Sequence, residues 1–374
     1  MSQIKNILIP AWSFYPSQEG GPSNALYWLA SGLAKAGYAV RVVATQRCIA
    51  QGVVKENTWT QLNGFDVIYS TVDKQDEYLK HELKRCDVLI ANGVCSLRNF
   101  HLNRQALRQG KKVVLSPRGE LFDSAILHKG KLYGLLKKMM FRWMKATYGD
   151  KVVYHATSPE EVESIHKYMG NNARVKLIPN YMILPEKVDI SDKTNENYLL
   201  YVGRLNPIKN IDVIISGLAK SSEFISSDCR FKIAGVTGGE HYHSLVAQAK
   251  SLGIADKIEF LGLVTGEEKD RLYAGAKCVL LMSKSENFGN VIVEALSQGT
   301  PAIASTGTPW QKLDEKGAGW WIPAEPDKLA KCIDILLMKD RNAYEDMRVK
   351  AYAYSREFDI YSNISKWTEI INEL

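Results

Sequence analysis

Two glutamates, Glu286 and Glu294, stand eight positions apart in the stretch "SENFGNVIVEALSQGTP". Glu286 follows the apolar run "KCVLLMS", which reads as a strand, so its carboxylate lies in the loop at that strand's C-terminal end. In open α/β sheets that edge is where ligands bind. A helix is expected to begin near Phe288. Its first N–H groups, from about Gly289 to Val291 and including Asn290, have no intrahelical partner and suit an anion or sugar hydroxyls. Gly289 lets a ligand approach the backbone closely. Glu294 lies about 1.5 turns further in. It can face the same side and accept hydrogen bonds from a vicinal diol such as ribose. Two solvated surface glutamates are the weaker reading, because Val291, Ile292, Val293, Ala295 and Leu296 make this helix apolar nearly all round. An unpaired carboxylate there is costly.

Three further motifs place charge or glycine at strand ends. In "YVGRLNPIKN", Gly203 closes a strand and Arg204 and Lys209 follow it. A planar guanidinium and a compact ammonium together suit a diphosphate. In "SQEGGPSNA", Gly20 and Gly21 can bring backbone N–H groups to a phosphate or sugar. This is not the G-x-G-x-x-G of dinucleotide sites, and the loop from Ala11 to Ser23 is longer than that fingerprint needs. In "LSPRGEL", Arg118 and Glu120 follow another strand and are expected to face a second domain. A structural Arg–Glu pair is the competing reading.

The elements that must hold these residues alternate throughout. "NILIPA", "AVRVVAT", "DVLIAN", "KKVVLSP" and "KVVYHATS" read as buried parallel strands separated by helices, with Ser23 the expected N-cap of the first helix. The scheme restarts at "NYLLYVGRL" and runs on through "CRFKIAGV", "KIEFLGLV", "KCVLLMS" and "PAIAST". A length of 374 residues favours two domains. They are set at 1–184, joined by a C-terminal helix of about 357–374, and at 185–356, with a polar linker near 180–197. The six cysteines form no C-x-x-C pair, which points away from a zinc site and a disulfide framework. No signal-peptide core or membrane-spanning run is read, so the expected compartment is the cytoplasm. Residues 1–184 carry 25 Lys and Arg against 14 Asp and Glu, while residues 185–374 carry 23 against 27. The first half is therefore strongly basic.

Together these motifs resemble the retaining glycosyltransferases of family 4. The resemblance covers essentially the whole chain. It rests on Glu286-x7-Glu294 in "SENFGNVIVEALSQGTPAIAS", and on "YVGRLNPIKN", "EFLGLV", "HATSPEEVESI" leading to "LIPN", and "EGGPSNAL". "SPRG", "GTPW" and "AGWW" look like a branch that builds bacterial envelope polysaccharides. The resemblance implies the α/β fold called GT-B, with two tandem Rossmann-like domains and a cleft between them. It implies a hexosyl transfer from a UDP- or GDP-linked sugar to an acceptor hydroxyl, with the α configuration kept. Glu286 would hold hydroxyls of the donor sugar, and Glu294 the ribose. Backbone groups from Phe288 to Val291 would bind sugar and phosphate. Arg204 and Lys209 would neutralise the leaving diphosphate, and Gly20 and Gly21 would lie beside the phosphate. Many members have a histidine after the strand that here ends in "VVLS", where this chain has Arg118 nearby. No D-x-D motif is present, so no metal is expected, and the nucleotide sugar is a co-substrate rather than a cofactor. A nucleotide-sugar epimerase or a non-catalytic nucleotide-binding protein of the same fold are the rival readings.

The segment 127–151 bears on the acceptor, a saccharide that can be linked to polyprenyl diphosphate. It carries Lys129, Lys131, Lys137, Lys138, Arg142, Lys145 and Lys151 against Asp150 alone. Leu132, Leu135, Leu136, Met139, Met140, Trp143 and Met144 recur through it at helical spacing. This is a basic amphipathic helix, fitted to a membrane surface or to a core-facing stripe with solvated lysines. Docking is expected through Lys131, Lys138, Arg142 and Lys145, on the inner face of the cytoplasmic membrane. No nucleic-acid motif accompanies the basic charge, and no nucleic-acid partner is expected.

Overall fold

The computed structural model describes residues 5–17, 20–127, 130–188, 190 and 197–374. They form two units, Met1–Ile183 with Asp359–Leu374, and Leu184–Phe358. Much of the expected linker, at 189 and 191–196, lies outside the described residues.

In the first unit the strands are β1 (Asn6–Ala11), β2 (Ala39–Thr45), β3 (Trp59–Leu62), β4 (Phe65–Ser70), β5 (Val88–Asn92), β6 (Lys112–Ser116), β7 (Val152–Ala156) and β8 (Arg174–Leu177). Among the described residues they make an eight-stranded sheet in the order β3-β4-β2-β1-β5-β6-β7-β8. Every pairing is parallel except β3–β4. The central strands are unbroken apolar runs because helices cover both faces of such a sheet. These helices include α1 (Gly21–Lys35), α2 (Gln75–Arg85), α3 (Leu97–Arg108), α4 (Asp123–Leu127), α5 (Lys131–Tyr148) and α6 (Pro159–Met169).

Two local expectations change. The β3–β4 hairpin is absent from the sequence reading, although Asn63-Gly64 is a strong hairpin signal. Both residues have positive φ, 47° and 87°, as a type I′ turn requires. The N-cap of α1 is Gly20 rather than Ser23. Pro22 is tolerated in a first turn, whose N–H groups need no intrahelical partner, so the helix can start ahead of it. Ser23 lies inside that turn, buried, with its Oγ 2.8 Å from Ser13 Oγ.

The second unit contains β9 (Tyr198–Val202), β10 (Arg230–Ala234), β11 (Ile258–Gly262), β12 (Cys278–Leu281), β13 (Ala302–Ser305) and β14 (Gly319–Ile322). They pair in parallel in the order β11-β10-β9-β12-β13-β14. The chain runs outward from β9 to β11, then returns to the other side of β9 as β12. That reversal makes the C-terminal ends of β9 and β12 a topological switch point, where neighbouring loops diverge and leave a crevice. Around the sheet lie α7 (Ile211–Leu218), α8 (Ser222–Ser226), α9 (Glu240–Ser251), α10 (Gly266–Gly275), α11 (Asn290–Ser297), α12 (Lys312–Glu315), α13 (Pro326–Leu337) and α14 (Arg341–Ser355). Strand β14, with Trp320 and Trp321, goes beyond the strands read from the sequence.

The chain then returns to the first unit as α15 (Ile360–Asn363) and α16 (Ser365–Glu373). Ile360 N–H donates to Met182 O at 2.9 Å. Trp367 packs its ring 4.5 Å from that of His155 on β7. Gly32 of α1 permits the approach, since a Cβ there would meet Ile360 Cγ1 at 2.6 Å.

Candidate functional site

The switch point of the second unit gathers most of the residues singled out above. After β9 the chain passes Gly203 and Arg204 and enters a single 3₁₀ turn, Pro207–Lys209, capped by Asn206 Oδ1 accepting from Ile208 N–H at 3.1 Å. After β12 the neighbouring loop carries Ser283 and Glu286. Lys284 N–H donates to Ile208 O at 2.8 Å, which ties the two loops together. Lys209 Nζ then donates to Glu286 Oε2, in an ion pair whose side chains are both 17% exposed. Ser283 Oγ donates to the same oxygen at 3.2 Å. Arg204 has an exposed side chain, and its carbonyl accepts from the buried Tyr201 hydroxyl at 2.9 Å. Burial, reinforced by the Glu286 charge, pushes the Tyr201 phenol well above its ordinary range, so it donates as a neutral hydroxyl.

A third loop supports Glu286 from behind. Glu286 N–H donates to Gly307 O at 2.9 Å. Gly307 is pressed so close to the β12 loop that a Cβ would stand 2.5 Å from the carbonyl oxygens of both Ser283 and Lys284. Next to it, Trp310 is buried and donates from Nε1 to Phe288 O at 2.5 Å. Phe288 itself points inward and packs on Trp310 and Phe358. Its contribution at the site's surface is therefore its backbone.

Helix α11 begins at Asn290 rather than near Phe288, because Gly289 takes the left-handed conformation at the N-cap (φ 84°). A Cβ there would lie 2.9 Å from Leu281 Cδ2 and 3.3 Å from Trp310 Nε1. Only glycine meets both the backbone angle and the space. Asn290 and Val291 open the helix, at the positive end of its dipole. Further in, Ile292, Val293, Ala295 and Leu296 are buried, as the apolar pattern requires.

Glu294 is not left alone on that apolar helix. Its Oε1 is 3.0 Å from Lys269 Nζ, and its Oε2 accepts from Tyr273 Oη at 2.7 Å. Both partners come from α10, one turn apart. Desolvation and the adjacent carboxylate raise the Tyr273 phenol far above its usual value. Lys269 and Tyr273 are absent from the sequence reading. Their i, i+4 spacing in "GEEKDRLYAGA" was the available sign that they share one helix face.

In the first unit, Gly20 (φ 92°) precedes α1, and nothing lies within 4 Å of a Cβ placed on it. Gly21 is the first residue of that helix. Gln18 and Glu19 of the same motif lie outside the described residues. Arg118 and Glu120 do not pair with each other. Arg118 is itself in the left-handed region (φ 57°) and donates from Nε to Asn92 Oδ1 at 3.1 Å and from Nη1 to Asn180 Oδ1 at 2.7 Å. Desolvation, partly offset by Glu161, lowers its pKa to about 10, which leaves it charged at neutral pH. Glu120 turns the other way and accepts from the N–H groups of Val94 at 2.5 Å and Cys95 at 2.7 Å. Beside Arg118, the buried His155 accepts at Nδ1 from Ser116 Oγ and donates from Nε2 to Ile178 O, both at 2.8 Å.

Residues 185–356 match the family model of glycosyl transferases group 1. This is the second unit, and it contains the switch point just described. A glycosyltransferase of Methanocaldococcus jannaschii, itself uncharacterised, is 30% identical over 187 residues, 49% of this chain and 45% of that protein. A Campylobacter jejuni α-1,4-N-acetyl-D-galactosaminyltransferase that acts on an undecaprenyl-diphosphate-linked saccharide is 28% identical over 205 residues, 54% of this chain and 55% of that protein. The chain thus spans about half the length of these relatives. Among solved structures, HepE of Anabaena in complex with UDP and glucose superposes with a TM-score of 0.75 at 18% identity, covering 99% of this chain and 100% of that one. WaaG, a glycosyltransferase involved in lipopolysaccharide biosynthesis, follows at 0.73 and 18% identity, covering 98% and 99%. The architecture is therefore GT-B, the α/β fold of two Rossmann-like units shared by these glycosyltransferases.

Proposed function

We propose that the protein is a retaining, metal-independent glycosyltransferase that moves a hexosyl group from a nucleoside-diphosphate sugar to an acceptor hydroxyl. The observation that carries this reading is the constellation at the β9–β12 switch point, within the stretch that matches the glycosyl transferase family model. The helix α11 N-terminus and Lys209 provide positive potential for the diphosphate, with exposed Arg204 beside them on the chain. Glu286, steadied by Ser283, offers a carboxylate to sugar hydroxyls. Glu294, held by Lys269 and Tyr273, keeps lone pairs that can accept from a ribose diol. Charge developing on the departing diphosphate would meet cations and helix N–H groups already in position, the usual basis of such catalysis.

A UDP sugar is the favoured donor, since HepE is solved with UDP and glucose. A lipid-linked saccharide of envelope polysaccharide synthesis is the favoured acceptor, in view of the Campylobacter relative and WaaG. The first unit, which carries Gly20, Gly21 and Arg118, would take the acceptor.

The test is titration of UDP and GDP into the native chain and Glu294→Ala, with donor turnover assayed in the presence of chelator. Weakened nucleotide affinity in the variant is expected, together with turnover that persists in chelator and yields an α-linked product. Unchanged nucleotide affinity would remove Glu294 from the ribose site. Activity lost in chelator and restored by magnesium or manganese would overturn the metal-independent reading.

A further inference from the structure

The helix α5 has three faces rather than two. Its buried face is Lys137, Phe141, Met144 and Tyr148. Lys137 is the cation of the segment that this face takes inward, its Nζ donating to Ala125 O at 3.0 Å. The apolar residues expected to form one stripe are split between two opposite sides. Leu132 is 73% exposed, Leu135 55%, Leu136 57%, Met139 57% and Trp143 46%. At about 100° per residue these five fall within an arc of about 100°, centred almost opposite the buried face. Lys138, Arg142 and Lys145 are exposed and occupy a narrower arc along one edge of that apolar surface. No Asp or Glu lies between residues 131 and 148. The base of the surface is rigid, because the Trp143 ring packs 4.1 Å from Phe100 of α3.

Single exposed leucines are ordinary, but five large apolar side chains on one outward face mark an interaction surface. The flanking cations identify the occupant. An apolar face bordered by Lys and Arg matches the acyl–headgroup boundary of an anionic bilayer: the leucines enter the acyl region while the cations stay at the phosphates. Among the described residues no helix is long and apolar enough to cross a membrane, so the geometry is that of a helix lying in the interface plane. A second copy of this chain would bring no acidic residue of the same helix to meet the cationic strip.

We infer that α5 is a monotopic membrane anchor that inserts Leu132, Leu135, Leu136 and Met139 into an anionic lipid surface, with Lys138, Arg142 and Lys145 engaging lipid phosphates. This changes the docking expected from the sequence, which was carried by cations alone. Lys129 lies outside the described residues, as does the side chain of Lys131. It deepens the reading of a lipid-linked acceptor, yet it stands on the helix faces and is measured without donor or acceptor.

The experiment is co-sedimentation of the full chain with phosphatidylcholine vesicles and with vesicles of phosphatidylcholine and phosphatidylglycerol in equal parts, at low and high salt. Binding should favour the anionic vesicles, and part of it should survive high salt, because screening weakens the cationic contribution but not burial of apolar surface. Leu132→Gln with Leu136→Gln and Met139→Gln should cut partitioning at least about ten-fold, by loss of inserted apolar groups. Lys138→Gln with Arg142→Gln and Lys145→Gln should abolish the anionic preference and leave the salt-resistant part. All of these positions are exposed, so thermal midpoint and nucleotide affinity should stay unchanged. The inference is overturned if the apolar variant binds vesicles like the native chain. It is also overturned if the native chain ignores vesicles and the apolar variant instead changes its oligomeric state in sedimentation. Nucleotide affinity, measured in parallel, reports on the glycosyltransferase reading independently.

Discussion

Lys209 and Glu286 show how one contact separates two roles. Their ion pair is mostly buried, so removing either partner leaves a charge poorly solvated. Lys209→Ala should therefore lower stability by about 1–3 kcal/mol and lower kcat by about 10²–10³. Adding Glu286→Gln to Lys209→Ala removes the orphaned charge and should recover most of the stability without recovering the rate. Thermal unfolding and steady-state kinetics on both variants check this. If Lys209→Ala raised only KM, a transition-state role would be wrong. The pairing of Glu294 with Lys269 and Tyr273 answers the cost of a carboxylate on an apolar helix. The carboxylate's place on an apolar helix was readable from the sequence. Its partners were not, because they depend on how α10 packs beside α11.

At the scale of the element, α11 depends on its entrance. Gly289→Ala forces a Cβ into a left-handed residue and against Leu281 and Trp310. The expected result is about 1–3 kcal/mol of lost stability and weaker nucleotide binding, measured by denaturant titration and by UDP affinity. Strand β7 offers a separate test. His155 joins it to Ser116 of β6, to the carbonyl of Ile178 and to Trp367 of α16. Burial, with Arg118 adding repulsion, lowers its pKa from 6.5 to about 3. Between those two values the unfolded chain takes up a proton that the folded chain refuses. Stability contributed by neutral His155 is therefore complete above pH 6.5 and falls as pH drops towards about 3. The slope is about 1.4 kcal/mol per pH unit. In a denaturation series over that window, His155→Gln should remove this contribution from the pH dependence, leaving that of the carboxylates, whatever its effect on stability at neutral pH.

For the whole molecule, the notable feature is that the chain comes back. Asp359–Leu374 belongs to the first unit, where Ile360, Trp367, Ile370 and Ile371 are buried. Burying one such side chain contributes about 1.5–3 kcal/mol. Four together rival the total stability of a domain, about 5–15 kcal/mol. Truncation after Phe358 should therefore unfold the first unit while protection of β9 and β12 persists, as read by hydrogen exchange. Loss of protection in both units to the same extent would show that they fold as one.

The alternation of apolar runs with helical patterns was sufficient for most strands of the two sheets, because strands covered on both faces carry no polar alternation, but it did not yield β3, β4, β8 or β14. Glu286, Gly289 and Glu294 were legible because a strand end, a helix start and a carboxylate on an apolar helix are local features. Lys269 and Tyr273 on Glu294, Lys209 on Glu286, the turning apart of Arg118 and Glu120, and the exposure of Leu132 and Leu136 beside the burial of Phe141 were decided by tertiary structure. Each depends on which surface of one helix or loop meets another. Helical periodicity shows that a face is apolar, and only packing decides whether that face meets a core or remains open for a partner.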